Sequence, residues 1–324
     1  MSFLSESIGI DPGTSYVKII KKGAGIVLNE PTVAVMDNDS GKIIAVGLEA
    51  EEMIIKAPAS IRVVKPIKNG EVCDFDAAKV MFQEFLGKCL KDKMIKPKSM
   101  VAIGDGTSDV AKRAIEEALT ASGVKNVSFV QKSISAAIGV GLPVYDFGGN
   151  MIIDIGGGTT EIAVISFGSI VASKTVDVGG DAFNHSIIRY IKNKYGVSIG
   201  QKMAEEVKNA TGKIQENSAD DYMVVGRDVF TGLPGSANIS SIEIREAVNE
   251  NISVIIDGIR EALEHTPLEL VEDIMEKGAV LTGGGAGVFG ICELIDNELD
   301  IHASLAENPH TCVINGLGMI MQRS

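Results

Sequence analysis

One pattern occurs twice in this chain and limits what it can fold into. Ser7-Ile8-Gly9-Ile10 runs into Asp11-Pro12-Gly13-Thr14-Ser15, and Tyr16-Val17-Lys18-Ile19-Ile20 follows. Met151-Ile152-Ile153 runs into Asp154-Ile155-Gly156-Gly157-Gly158-Thr159-Thr160, and Glu161-Ile162-Ala163-Val164-Ile165 follows. Each copy reads as a hairpin of two β-branched strands around an Asp-x-Gly turn. A further strand follows each, Gly25-Ile26-Val27-Leu28 and Ile170-Val171-Ala172-Ser173. Two such meanders imply two related halves, with the boundary in the polar, glycine-rich segment Tyr145-Asp146-Phe147-Gly148-Gly149.

Helical periods lie between the strands. Asp109 to Ala121 sets Val110, Ala114, Ile115, Ala118 and Leu119 on one face and stops before Gly123. Phe183, Ile187, Ile188, Ile191 and Tyr195 recur at helical spacing up to Gly196. A long helix begins at Ser240 with Glu243 as its capping box, carries Ile244, Val248, Ile252, Ile255, Ile259 and Leu263, and is bounded by Pro267. Strands and helices alternate, so the fold class is α/β. Gln215 to Asp221 and Thr231-Gly232-Leu233-Pro234-Gly235 read as surface loops.

The turns have the chemistry of a phosphate site. Glycine lets backbone approach phosphate oxygens, and successive N–H groups form an anion nest. The hydroxyls of Thr14, Ser15, Thr159 and Thr160 can add donors. Asp11 and Asp154 would repel phosphate directly, so their expected task is to hold Mg2+ through its waters. A third cluster, Leu281-Thr282-Gly283-Gly284-Gly285-Ala286, runs from a strand towards an apolar helix around Phe289 to Ile295. Its glycines leave room for a flat adenosine. No GxxxxGK[ST] sequence occurs, so this is not a P-loop protein.

Composition excludes other classes. A net charge of −13 argues against a nucleic-acid partner, which needs clustered Lys and Arg. Cys73, Cys89, Cys292 and Cys312 form no CxxC pair, and the four histidines form no metal motif. The opening residues do not read as a secretory signal, and no apolar run approaches a bilayer span. A cytoplasmic protein is expected.

The chain resembles the MreB/Mbl family of bacterial actins nearly end to end. The resemblance rests on Gly25-Ile26-Val27-Leu28-Asn29-Glu30-Pro31, Ala136-Ala137-Ile138-Gly139, Gly141-Leu142-Pro143 and Asp154 to Glu161. It continues through Val178-Gly179-Gly180-Asp181-Ala182-Phe183, Asn193-Lys194-Tyr195-Gly196, Thr231 to Pro234 and Leu281 to Gly285. It implies an actin-like ATPase fold of two duplicated domains, 1–145 and 146–324, each with an inner and an outer subdomain around a nucleotide cleft. The outer subdomains fall at about 33–65 and 182–239, and a C-terminal helix at about 313–324 returns to the first domain. The expected cofactors are ATP or ADP with Mg2+. The expected partners are further copies of the chain in head-to-tail protofilaments paired antiparallel, the inner face of the cell membrane, and paralogous bacterial actins.

Carried over by position, Gly13, Thr14, Ser15 and Tyr16 form the first phosphate turn, and Gly156, Gly157, Gly158, Thr159 and Thr160 the second. Gly283, Gly284, Gly285 and Ala286 form the third turn. Glu205, Glu206 and Lys208 fall in the helix that flanks ribose and adenine, although taken alone they fit a solvated helix face equally well.

One departure bears on hydrolysis. The family's glutamate, which orients the attacking water, is replaced by Lys132, with Ser133 after it. A charged lysine is a donor only. It can pair with the γ-phosphate or with Asp154 and stabilise the bound triphosphate, while Gln131 can still orient a water. The expectation is an ATP-binding filament protein with weakened hydrolysis. Its rivals are a hydrolysis-poor paralogue that co-assembles with an active bacterial actin, and a small-molecule kinase of the same fold. Met94-Ile95, framed by Lys91, Lys93, Lys96 and Lys98, reads as a contact with an anionic membrane surface.

Overall fold

Both meanders form, and each opens a five-stranded mixed sheet of the same topology. The computed structural model describes residues 7–56, 60–90, 96–211, 221–288 and 290–323. Met94, Ile95, Phe289 and most of the polar stretch at 215–220 lie outside them. The chain divides into two compact units, one of residues 1–146, 167–169 and 310–324, the other of residues 147–166 and 170–309.

In the first unit β1 (Ser7–Pro12), β2 (Tyr16–Lys21) and β3 (Gly25–Pro31) form the meander. They are followed by β4 (Ala34–Asp37), β5 (Ile43–Val46), α1 (Gly47–Ile55) and β6 (Ile61–Val64). Next come β7 (Ile67–Lys68), β8 (Glu71–Val72), α2 (Phe75–Cys89), β9 (Lys98–Ile103), α3 (Asp109–Ala121), β10 (Asn126–Gln131) and α4 (Lys132–Gly139). The large sheet runs β10-β9-β1-β2-β3, with β9 parallel to β1 and to β10. A three-stranded sheet, β5-β4-β6, stands apart from it. The core sets Ile8, Ile10 and Ile19 against Met81, Phe82 and Phe85 of α2 and Ile115 and Leu119 of α3. On α3, Ala111 takes the buried place expected of Val110, which is exposed. Ser108 caps the helix through the Ala111 N–H, and this sets the phase of the first turn.

The second unit comprises β11 (Asn150–Ile155), β12 (Thr160–Ser166), β13 (Ser169–Val176), α5 (Gly180–Tyr195), β14 (Val197–Ser198) and α6 (Gln201–Thr211). It continues with β15 (Asp221–Asp228), β16 (Pro234–Ser240), α7 (Ser241–Glu264), α8 (Leu268–Lys277), β17 (Ala279–Thr282), α9 (Ile291–Leu299) and β18 (Ala303–Leu305). Its large sheet runs β13-β12-β11-β17-β18, with β17 parallel to β11 and to β18. This repeats the first sheet strand for strand. The capping box at Ser240 and Glu243 is present, and Ile244, Val248, Ile252, Ile255 and Ile259 are buried in the core with Phe183, Ile187 and Ile191. Gly196 ends α5 in the left-handed region, φ 66°. The β14-β15-β16 sheet includes Asp221, Pro234 and Gly235, which the sequence assigns to loops.

The final helix, α10 (Cys312–Arg323), packs on α4 in the first unit. Their close approach depends on glycine. A Cβ at Gly316 would overlap the Ser135 carbonyl, and one at Gly139 the Cys312 carbonyl. The Ser135 hydroxyl crosses the same contact to the Val313 carbonyl at 2.8 Å. α4 is thereby held along its length, with Lys132 at its first position.

Candidate functional site: two glycine hairpins and a third turn

The hairpin loops are built alike. In the first, Pro12 pairs with Val17, and the Gly13 N–H donates to the Tyr16 carbonyl at 3.1 Å. In the second, Ile155 pairs with Thr160, and the Gly156 N–H donates to the Thr159 carbonyl at 2.8 Å. A Cβ on Gly13 would stand 2.7 Å from the Tyr16 oxygen, so the tight loop requires glycine there.

In the first unit Thr32 turns two loop carbonyls towards the protein. Its hydroxyl donates to Gly13 O at 2.7 Å and its N–H to Ser15 O at 2.9 Å. Inward carbonyls leave the loop suited to anions. Thr14, buried, accepts from the Asn69 N–H at 2.9 Å, while Tyr16 is exposed. Behind the loop lies Asp11, 6% exposed. Lys18 Nζ stands 3.8 Å from Asp11 Oδ2, and Lys132 Nζ stands 3.7 Å from Asp11 Oδ1. Asp11 Oδ1 accepts no hydrogen bond among the described residues. Asp11 is therefore a partner of Lys132 that sequence reasoning did not name. Gln131 is the N-cap residue of α4, and its side chain makes no capping bond.

Ser133, fully buried, donates its hydroxyl to Asp105 Oδ2, and its N–H reaches Asp105 Oδ1 at 3.5 Å. Parallel pairing of β9 with β10 ends at Ile103 opposite Gln131. The same register carried two residues further brings Asp105 to Ser133. The only sequence signal for Asp105 is the turn Gly104-Asp105-Gly106.

In the second unit the N-terminus of α5 closes over the loop. The Gly180 N–H donates to Gly156 O at 2.9 Å and the Asp181 N–H to Gly157 O at 2.8 Å. A Cβ on Gly179 would lie 2.7 and 2.8 Å from those two carbonyl oxygens, which explains the glycine pair that opens this helix. Thr160 is buried and donates its hydroxyl to the Val178 carbonyl at 2.7 Å. That bond ties the start of β12 to the link between β13 and α5. Asp154 is buried opposite Glu161, whose carboxylate accepts from the Thr175 hydroxyl at 2.6 Å.

The third turn joins this half. The Gly285 N–H donates to Ile155 O at 2.8 Å, and Gly283 has φ +90°. A Cβ at Gly283 would stand 2.5 Å from Asp154 Oδ1, and one at Gly285 would stand 2.7 Å from Ile155 Cγ2. Gly284 differs, because a Cβ there meets nothing within 4 Å. Two glycines serve the turn itself, and the middle one leaves open space. Ala286 is fully buried.

On α6, Lys208 is 2% exposed, and its ammonium contacts Glu205 Oε2 at 2.6 Å and the Gly180 carbonyl at 3.5 Å. The Asn184 amide also donates to Glu205 Oε2 at 2.6 Å. Lys208 and Glu205 are thus tied to the helix that covers the second turn, whereas Glu206 is exposed. No group of three or more His, Cys, Asp or Glu side chains suited to a metal occurs among the described residues. Asp154 has the chemistry for a metal held through water. Asp11, with an ammonium facing each oxygen, does not fit that task.

The family description MreB/Mbl protein matches residues 5–324. The chain belongs to the MreB/Mbl family. It is 40% identical to the cell shape-determining protein Mbl of Bacillus subtilis over 98% of this chain and 96% of that one. It is 38% identical to the cell shape-determining protein MreB of Escherichia coli over 98% and 94%. Among solved structures, MreB5 of Spiroplasma citri bound to ADP superposes with a TM-score of 0.93 at 34% identity, covering 99% of this chain and 97% of that one. The same protein has been solved bound to AMPPNP. A MamK double helical filament superposes with a TM-score of 0.80 at 17% identity, covering 98% of both chains, and shows the shared fold. The fold is α/β and actin-like, and the family is one of cell-shape-determining proteins.

Proposed function

We propose that this MreB/Mbl protein is an ATP-binding filament protein that polymerises beneath the membrane to control cell shape, and that its hydrolysis is weakened. The observation that carries the reading is the pair of matched hairpin loops, closed by the Gly13–Tyr16 and Gly156–Thr159 hydrogen bonds and each followed by the same sheet topology. Nucleotide binding is supported by the Spiroplasma structures with ADP and AMPPNP. Self-assembly is supported by the filament formed by MamK.

Gly13 to Tyr16 and Gly156 to Thr159 hold phosphate, Gly283 to Ala286 lie against adenosine, and Glu205, Glu206 and Lys208 flank the ribose. The β4–β6 and β14–β16 sheets serve as the outer subdomains. A magnesium ion would neutralise phosphate charge, and Asp154 is the acid left to hold it through water. Weakened hydrolysis follows from Lys132, a charged donor held beside Asp11 where a proton acceptor is needed. The same lysine supports a second reading, in which the chain co-assembles with an active paralogue.

No helix among the described residues is long and apolar enough to cross a membrane. Surface attachment would fall to Met94 and Ile95 within their lysine frame. Pelleting in ATP, in ADP and with anionic liposomes tests the whole. ATP-dependent filaments that bind liposomes are expected, and loss of liposome binding in Met94→Ser, Ile95→Ser. Material that stays in solution under every nucleotide would overturn the filament reading.

A further inference from the structure

We propose that the Lys132 ammonium is a built-in cation of the first phosphate turn, positioned by Asp105, so that nucleotide binding depends little on a divalent cation. This rests on the nucleotide reading above and deepens it. Three charged groups stand directly behind the turn: the Asp11 carboxylate and the Lys18 and Lys132 ammoniums, one at each carboxylate oxygen. These three carry one net positive charge, and the Asp105 carboxylate at Ser133 lies at the start of α4 as a second acid. The side chains of Lys18 and Lys132 are only 14% and 17% exposed, so solvent screens them weakly.

A lone carboxylate behind an anion-binding loop repels phosphate unless a metal intervenes. Here fixed ammoniums neutralise it, and the same two charges oppose the approach of a divalent cation to Asp11. Among the described residues Asp11 Oδ1 accepts no hydrogen bond, and the Lys132 ammonium stands 3.7 Å from it.

Asp105 makes the arrangement rigid. Its carboxylate takes the Ser133 hydroxyl and faces the Ser133 N–H at the start of α4, where an acid also complements the helix dipole. The Ser135–Val313 bond fixes the next part of the helix. The backbone that carries Lys132 therefore cannot swing away from Asp11. Asp105 acts through Ser133, so it is a positioning residue.

AMPPNP affinity, measured by calorimetry in magnesium and in EDTA, tests this. Wild type should bind within about threefold in the two conditions, and Lys132→Gln should lose about tenfold or more in EDTA while magnesium restores it. Asp105→Ala should shift the same ratio part of the way, and Asp105→Asn, which keeps the acceptor for Ser133, should return it to the wild-type value. A purely structural role for Asp105 would lower melting temperature without moving the ratio. Wild-type binding that collapses in EDTA, or an unchanged ratio in Lys132→Gln, would overturn the proposal while leaving nucleotide binding intact. No binding in either condition would instead sink the nucleotide reading, and this proposal with it.

Discussion

Lys208 places its ammonium 2.6 Å from the Glu205 carboxylate one helical turn away and 3.5 Å from the Gly180 carbonyl. One buried cation thus links α6 to the N-terminus of α5, which itself closes the second hairpin loop through Gly180 and Asp181. Replacing Lys208 by Met removes that link and keeps most of the volume. The Glu205 side chain is 45% exposed and can rehydrate, so the stability cost should be modest, about 1 kcal/mol. Nucleotide affinity should fall further, by about tenfold, because the loop loses its support. Paired melting and nucleotide titrations check this, and equal effects on both would contradict the assigned role.

The third turn separates folding from binding at adjacent positions. Gly283→Ala combines φ +90° with a Cβ crowding Asp154, and should destabilise the protein by about 2 kcal/mol or more. Gly284→Ala adds a methyl to open space and should change stability by less than about 0.5 kcal/mol. If adenosine lies against Gly284, that same methyl should weaken nucleotide binding. Chemical denaturation and a nucleotide titration of both variants read the two effects apart.

Acid should expose the capping box of α7. Burial pushes the Glu243 carboxyl up, but hydrogen bonds from Lys194, the Ser240 N–H, Tyr195 and the Ser240 hydroxyl outweigh it and hold the group at about 2. A carboxylate whose folded value is depressed contributes stability that is fully present above its ordinary value near 4.5. That contribution is lost as pH falls from there through about 2. Wild type should therefore lose stability more steeply than Glu243→Gln across this window, as read from urea midpoints against pH. Parallel curves would contradict the assignment.

The duplicated hairpins were legible in the sequence because an Asp-x-Gly turn between β-branched runs leaves few alternatives. The capping box at Ser240 and the αL stop at Gly196 were legible for the same reason, each being a local rule with a residue signature. The β15–β16 hairpin was not. Burial alternates along its strands, but the exposed positions include the apolar Met223 and Val225, so the sequence lacks the polar–apolar alternation that marks a half-buried sheet. Val110 was misplaced because the Ser108 cap sets the phase of α3 from outside the apolar pattern. At the site, the glycines announced themselves, but the partners of the charged residues did not. That Asp105 meets Ser133 follows from the β9–β10 register, and that Lys132 faces Asp11 depends on the sheet bringing β1 and β10 to opposite sides of β9. Such pairings exist only in three dimensions.

The central claim is that this chain assembles on ATP while splitting it slowly. Sedimentation and phosphate release, followed in one sample, test it most directly when wild type is compared with Lys132→Glu. Wild type should pellet in ATP with little phosphate released, and Lys132→Glu should pellet while releasing phosphate about tenfold faster or more, as expected when a general base is restored. Rapid phosphate release by wild type, or release left unchanged in Lys132→Glu, would contradict the account.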